Sequence, residues 1–208
     1  MEKELIKLDV PYFKQTRFST CGPAALMMVM KYWDNSIELS RKFENKIWIN
    51  SNPAIFFGGT LQFGLSKTAS KMGFKVEIYQ KTKISDSRTL GLLPLIEKNF
   101  IRKLKKLKIK IHYQKDIFVI IFDLIKKDIP PIVFVNLKEI IDENVLHWLV
   151  VTGYDENNIF VNDPYIPYGF SNSDKKNYPV NIDVFKKAIS TDLYGNLRLP
   201  PCVISVYK

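Results

Sequence analysis

Residues 145–163 read VLHWLVVTGYDENNIFVND. The first ten are rich in β-branched and aromatic side chains, which suit a pleated strand. Val145, His147, Leu149 and Val151 share one face of that strand, and Leu146, Trp148 and Val150 share the other. Both faces are apolar, so the strand belongs inside a sheet with cover on each side. Asp155-Glu156-Asn157-Asn158 supplies turn chemistry, and Ile159 to Asp163 returns as a second strand. The stretch therefore predicts a hairpin with a histidine near one end and an aspartate at the close of the return.

Upstream, Ile132 to Leu137 is an apolar strand, and Pro130-Pro131 stops a helix predicted over 116–128. Downstream, 181–190 suggest a short helix and 202–207 a final strand. The last third thus reads as antiparallel sheet. The first half reads mainly as helices. Pro23 to Trp33 (PAALMMVMKYW) carries strong helix formers, with proline in the first turn, where its missing N–H costs nothing. It is apolar nearly all round, so it is expected to be buried. Helices are also expected over 38–49, 60–72 and 92–107, with a turn at Gly58-Gly59 and a helix cap at Gly73. A short entry strand ending in a loop is expected over 7–14, and strands over 75–80 and 108–113. Leading helices and following strands make an α+β domain.

A chain of 208 residues suits one domain, taken here as 1–208 with a basic insertion at about 81–115. Its most apolar run, Ile117 to Ile125, contains Asp123 and falls far short of the roughly 20 residues that span a bilayer. The charged N-terminus MEKELIKLDV lacks the apolar core of a signal peptide. A cytoplasmic protein is expected, with Cys21 and Cys202 unpaired in a reducing compartment. The formal charge is +10, and Lys98, Arg102, Lys103, Lys105, Lys106, Lys108, Lys110 and Lys115 concentrate it. Such a cluster fits a nucleic-acid or acidic partner. It equally fits the wet side of an amphipathic helix, because Ile96, Phe100, Ile101, Leu104 and Leu107 fall at helical spacing. Phe100 falls on the apolar side, so the lysines of this helix carry no row of aromatic side chains as a base-stacking surface requires.

The chemistry-bearing residues are few. Cys21 opens the helix in Ser19-Thr20-Cys21-Gly22-Pro23, where backbone N–H groups and the helix dipole favour a thiolate. A small buried thiol is the structural alternative. Gly22 removes a side chain beside the sulfur, and with Trp148 it is expected to face substrate. Gln15, six residues before Cys21, is either a loop glutamine or a donor to a developing oxyanion. His147 is one of two histidines, the other being His112; it is either a satisfied core histidine or a general base for Cys21. Asp163 closes the hairpin before Pro164, as an Asp-Pro turn or as the carboxylate that orients His147. Together the four fill the roles of nucleophile, base, orienter and oxyanion donor. Two cysteines and two histidines at these spacings form no zinc motif, and no cofactor is implied.

QTRFSTCGPAAL, followed far downstream by HWLVVTGYD and FVNDP, resembles the C39-like peptidases of the papain-like superfamily, which include bacteriocin-processing domains. GTLQFGLSKTASKMGFKVEIY is also similar to a helix and strand of that family. The resemblance implies a papain-like fold, with a Cys-bearing helix packed on an antiparallel sheet that carries His and Asp. It implies a cysteine peptidase acting on a peptide or protein, with Cys21 as nucleophile, His147 as base, Asp163 as orienter and Gln15 as oxyanion donor. Two other outcomes remain at this stage. One is a non-proteolytic acyl-transfer enzyme of transglutaminase or ligase type, and the other is an inactive binding module using the basic surface.

Overall fold

A computed structural model describes residues 5–52, 59–84, 93–165, 175–189, 192–193 and 197–208. The elements run β1 (Ile6–Lys7), α1 (Cys21–Trp33), α2 (Arg41–Ser51), α3 (Gln62–Lys71), β2 (Lys75–Gln80), α4 (Leu93–Lys106) and β3 (Lys110–Tyr113). They continue with α5 (Ile117–Ile125), β4 (Ile132–Asn136), α6 (Lys138–Ile141), β5 (Leu146–Tyr154), β6 (Asn158–Asn162) and β7 (Tyr178–Asn181). The chain closes with α7 (Ile182–Ala188), β8 (Asp192–Leu193), β9 (Leu197–Arg198) and β10 (Cys202–Tyr207). This is a mixed α+β fold, as expected.

Local chemistry explains several boundaries. Ser40 caps α2 by accepting from the Phe43 N–H, Asp116 caps α5 by accepting from Phe118 and Val119, and Asn181 caps α7. Gly73 adopts φ +90° after α3, and the Gly73 and Phe74 N–H groups bond back to Ser70 and Ala69. That is a Schellman end, and it needs a residue at ease in left-handed backbone. The expected turn at Gly58-Gly59 begins outside the described residues.

One sheet in the order β3-β2-β10-β4-β5-β6-β7 organises the molecule. The 145–163 stretch forms the expected hairpin, with Val150 opposite Asn162 and a bulge between Val151 and Gly153. β4 and nearly all of β5 are buried at consecutive residues, so both faces of the sheet are covered. The mutually packed helices α1, α2 and α3 form one group of cover, and α5 packs separately on β2, β5 and β10. The core draws on α1 (Leu26, Met27, Met30), the central strands (Val133, Val150, Ile204) and Phe63 of α3.

Two details depart from the sequence expectations. The entry strand pairs only at Ile6 and Lys7, because β1 occupies the short stretch of β5 beyond the end of β4 and Pro11 cannot donate to a ladder. Gly153 permits that approach, since a Cβ there would lie 2.0 Å from the Ile6 carbonyl oxygen. The sheet is not wholly antiparallel, because β3 pairs parallel to β2. A parallel neighbour requires a crossover, and α4 within the basic segment supplies it. The apolar strand expected at 202–207 forms β10, which lies between β2 and β4.

Candidate active site

Cys21 is the first residue of α1, and Thr20 before it is buried. The Thr20 side chain does not cap the helix. It bonds to the Arg17 carbonyl instead, which leaves the first N–H groups of α1 turned to the site. Gly22 contributes by packing. A Cβ there would meet Leu65 Cδ1 at 3.0 Å and Trp148 Cδ1 at 3.1 Å, so the space expected to admit substrate is filled by these two side chains. Trp148 is likewise not an open substrate surface. It is 2% exposed, its indole N–H donates to the Thr60 carbonyl at 2.8 Å, and its ring packs on Phe134. Both residues pack beside Cys21 rather than face solvent.

β5 brings His147 to Cys21, and the turn after β6 brings Asp163 to His147. The hairpin register places Asp163 diagonal to His147 on the same face of the pair. His147 Nε2 lies 2.7 Å from Asp163 Oδ1, with both side chains nearly sealed from solvent. That contact occupies Nε2, and the Cys21 thiol beside the ring acts on it through charge. Burial by itself would raise the Cys21 pKa, but the His147 charge and hydrogen bond, with the N–H groups of Trp148 and Gly22, hold it below its ordinary value. Burial would lower His147, yet the charges of Asp163 and Cys21 and their hydrogen bonds push it up to about 9. Asp163 is held below the ordinary carboxylate range against its own burial, mainly by His147, with help from Lys175 and the Tyr165 N–H. Both shifts run in the direction that favours a thiolate beside an imidazolium. Cys202 is a contrast. It is free and buried on β10, where burial alone pushes its thiol up and leaves it inert.

Gln15 reaches the same region through its backbone, whose N–H donates to the Pro164 carbonyl at 3.0 Å. Its side-chain Nε2 donates to the carbonyls of Arg17 at 2.9 Å and Phe18 at 3.3 Å, and its Oε1 is buried without a partner. Turning an N–H toward an oxyanion therefore requires release of the longer bond, to Phe18. Two supports escape sequence reading. Glu44 of α2 is fully buried and accepts from the Thr16 N–H at 2.9 Å and from the Thr16 hydroxyl, tying the loop between Gln15 and Cys21 to the helix layer. Lys175 donates to Asp163 Oδ2 at 3.3 Å. Neither lies near the site in sequence, and a charged residue in a polar stretch carries no signal of what it will touch.

A family model described as the Peptidase_C39 like family matches residues 10–204. The chain belongs to that family. Among proteins of curated function, none matches it. Two solved structures share the fold of this family member. One is a double glycine motif protease from an AMS/PCAT transporter in complex with the leader peptide, at 15% identity and TM-score 0.50 over 99% of this chain and 98% of that one. The other is a C39-like peptidase from Bacillus anthracis, at 14% identity and TM-score 0.57 with the same coverage. The fold expected from the resemblance is thereby shown, and the family and fold are those of peptidases. Among the described residues no helix is long and apolar enough to cross a membrane.

A cavity of about 650 Å³ lies along α2 and includes Phe43, Ile49 and Met72 but none of Cys21, His147 and Asp163. Volume alone does no chemistry. The buried, mutually charged Cys21–His147–Asp163 set is the stronger candidate.

Proposed function

We propose that this protein is a cysteine peptidase, with 1–208 as one catalytic domain that hydrolyses a peptide bond through Cys21, His147 and Asp163. The carrying observation is the buried His147–Asp163 pair, 2.7 Å apart, beside a buried Cys21 thiol that opens a helix and whose charged form His147 favours. The Cys21 sulfur attacks the scissile carbonyl carbon and forms a C–S bond, while the carbonyl electron pair moves to oxygen. The N–H of Cys21 and the amide of Gln15, freed from Phe18, donate to that oxyanion. The His147 imidazolium gives its proton to the leaving amine as the C–N bond breaks. His147 then takes a proton from water, whose oxygen attacks the thioester, and the thiolate leaves to regenerate the pair. Asp163 fixes the ring so that Nδ1 faces sulfur throughout.

A peptide substrate is supported by the family and by the neighbour that was solved with a leader peptide. Both cysteines are free thiols, which suits a reducing cytoplasm. The test is to incubate the wild-type chain and Cys21→Ala with a pool of proteome-derived peptides and to read new N-termini by mass spectrometry. Cleavage by the wild type alone is expected, together with a thioester on Cys21 in acid-quenched samples. Equal cleavage by both proteins would overturn the proposal. So would a wild type that cuts nothing and whose Cys21 alkylates no faster than an ordinary thiol.

A further inference from the structure

Asp163 is more heavily held than a carboxylate that only orients a histidine. Oδ1 receives His147 Nε2 at 2.7 Å and the Tyr165 N–H at 2.9 Å, and Oδ2 receives the Lys175 ammonium at 3.3 Å. The Asp163 N–H donates to the Lys175 carbonyl at 3.2 Å, so Lys175 grips Asp163 by both main chain and side chain. The Lys175 side chain is only 16% exposed. Its charge is therefore screened far less than those of the surface lysines.

The groups that face His147 can be named. Cys21 comes from α1, Asp163 from the end of β6, and Tyr165 packs edge-on against the ring at 5.6 Å. Glu143 stands behind Tyr165, accepting its hydroxyl at 2.8 Å. Two of these, Cys21 as thiolate and Asp163, draw a proton onto the imidazole, and Glu143 adds a more distant negative charge. Lys175 brings a cation to this set, with its ammonium 3.3 Å from Asp163 Oδ2. A general acid bound too tightly to its proton cannot release it to a leaving group.

We propose that Lys175 is a positioning residue that locks the Asp163 carboxylate beside His147 and offsets part of its charge, so that the imidazolium can still give up its proton. The inference rests on the Cys21–His147–Asp163 reading of the site. Across the carboxylate, the ammonium and the imidazole stand on the order of 6 Å apart, close enough to shift a buried titration by about one pH unit.

The test uses NMR titration of the imidazoles in the whole protein. The chain contains only His112 and His147, so the two signals are separable with His112→Gln. Lys175→Met should raise the His147 midpoint by about one pH unit, while Lys175→Arg leaves it within a few tenths. Where Lys175→Met does not fold, Lys175→Gln, which still donates but carries no charge, gives the same reading. An unmoved midpoint without the charge, or an equal shift in Lys175→Arg, overturns the proposal. Cys21→Ser separates the two ideas. If it leaves His147 unmoved, the pairing of thiol and imidazole fails, while the Lys175 result stands by itself.

Discussion

At the scale of single residues, the site works by opposing burial with pairing. Cys21, His147 and Asp163 all lie where burial alone would suppress their charged forms, yet each is driven toward its charged form by its neighbours. The pH dependence follows from the directions of these shifts. The thiolate forms below the ordinary thiol range, so kcat/KM should rise as pH climbs through that lowered value. The imidazolium loses its proton near 9, so activity should fall there as the acid for the leaving amine disappears. A bell-shaped profile of peptide cleavage is expected. Alkylation of Cys21 by iodoacetamide should show the acid limb and persist on the alkaline side, because it needs the thiolate but not the imidazolium. Coinciding profiles for the two reactions would contradict the assignment of the upper limb to His147. At this same scale the roles proposed for Cys21, His147 and Asp163 start from the sequence, since few residue types can fill them. Gly22 and Trp148 were legible as neighbours of Cys21, but their burial was not. Exposure depends on what packs against a side chain, and Leu65 and Thr60, which close over them, are far away in the chain.

At the scale of elements, the site depends on how closely α1, α2 and α3 nest. Gly64 shows the constraint. A Cβ there would lie 2.0 Å from the Ser51 carbonyl oxygen at the end of α2, a backbone atom that cannot swing aside. Glycine costs α3 some helix propensity, and the close approach of the two helices repays it. Gly64→Ala should therefore destabilise the fold by about 3 kcal/mol, against the gain that alanine normally brings within a helix. In a chain of this size that is a fall in Tm of about 6–12 °C, read by calorimetry. A rise in Tm would show that the α2–α3 approach is looser than described. The helix itself was visible from its composition and from Gly73. The reason for Gly64 was not, because it resides in a neighbour thirteen positions back, across residues with no pattern to link them.

At the scale of the molecule, the topology delays completion of the sheet until the end of the chain. β10 sits between β2 and β4, antiparallel to both, with Val203, Ile204 and Val206 fully buried. The Trp33 indole at the end of α1 donates to the Val206 carbonyl at 2.8 Å, tying the nucleophile's helix to this last strand. Deleting Cys202–Lys208 should abolish cooperative unfolding and thiol reactivity together, because it strips the inner edges of β2 and β4 of their partner. Circular dichroism and a thermal melt check this. A truncated chain that melts cooperatively would mean that the sheet closes without β10.

The sequence by itself determined the α+β class, the hairpin at 145–163 and the helix opening at Cys21, and it singled out the few residues proposed to carry acyl transfer. All of these rest on short-range regularities: strand alternation, helix composition, turn residues, and the scarcity of cysteine and histidine. Only the tertiary structure decided the central place of β10, the parallel pairing of β3 and the engagement of the Gln15 amide with its own loop. It alone placed Glu44 and Lys175 beneath the site. These are long-range pairings. Their free energy comes from burial and charge brought together by the fold, and no local pattern of residues records which partner will arrive.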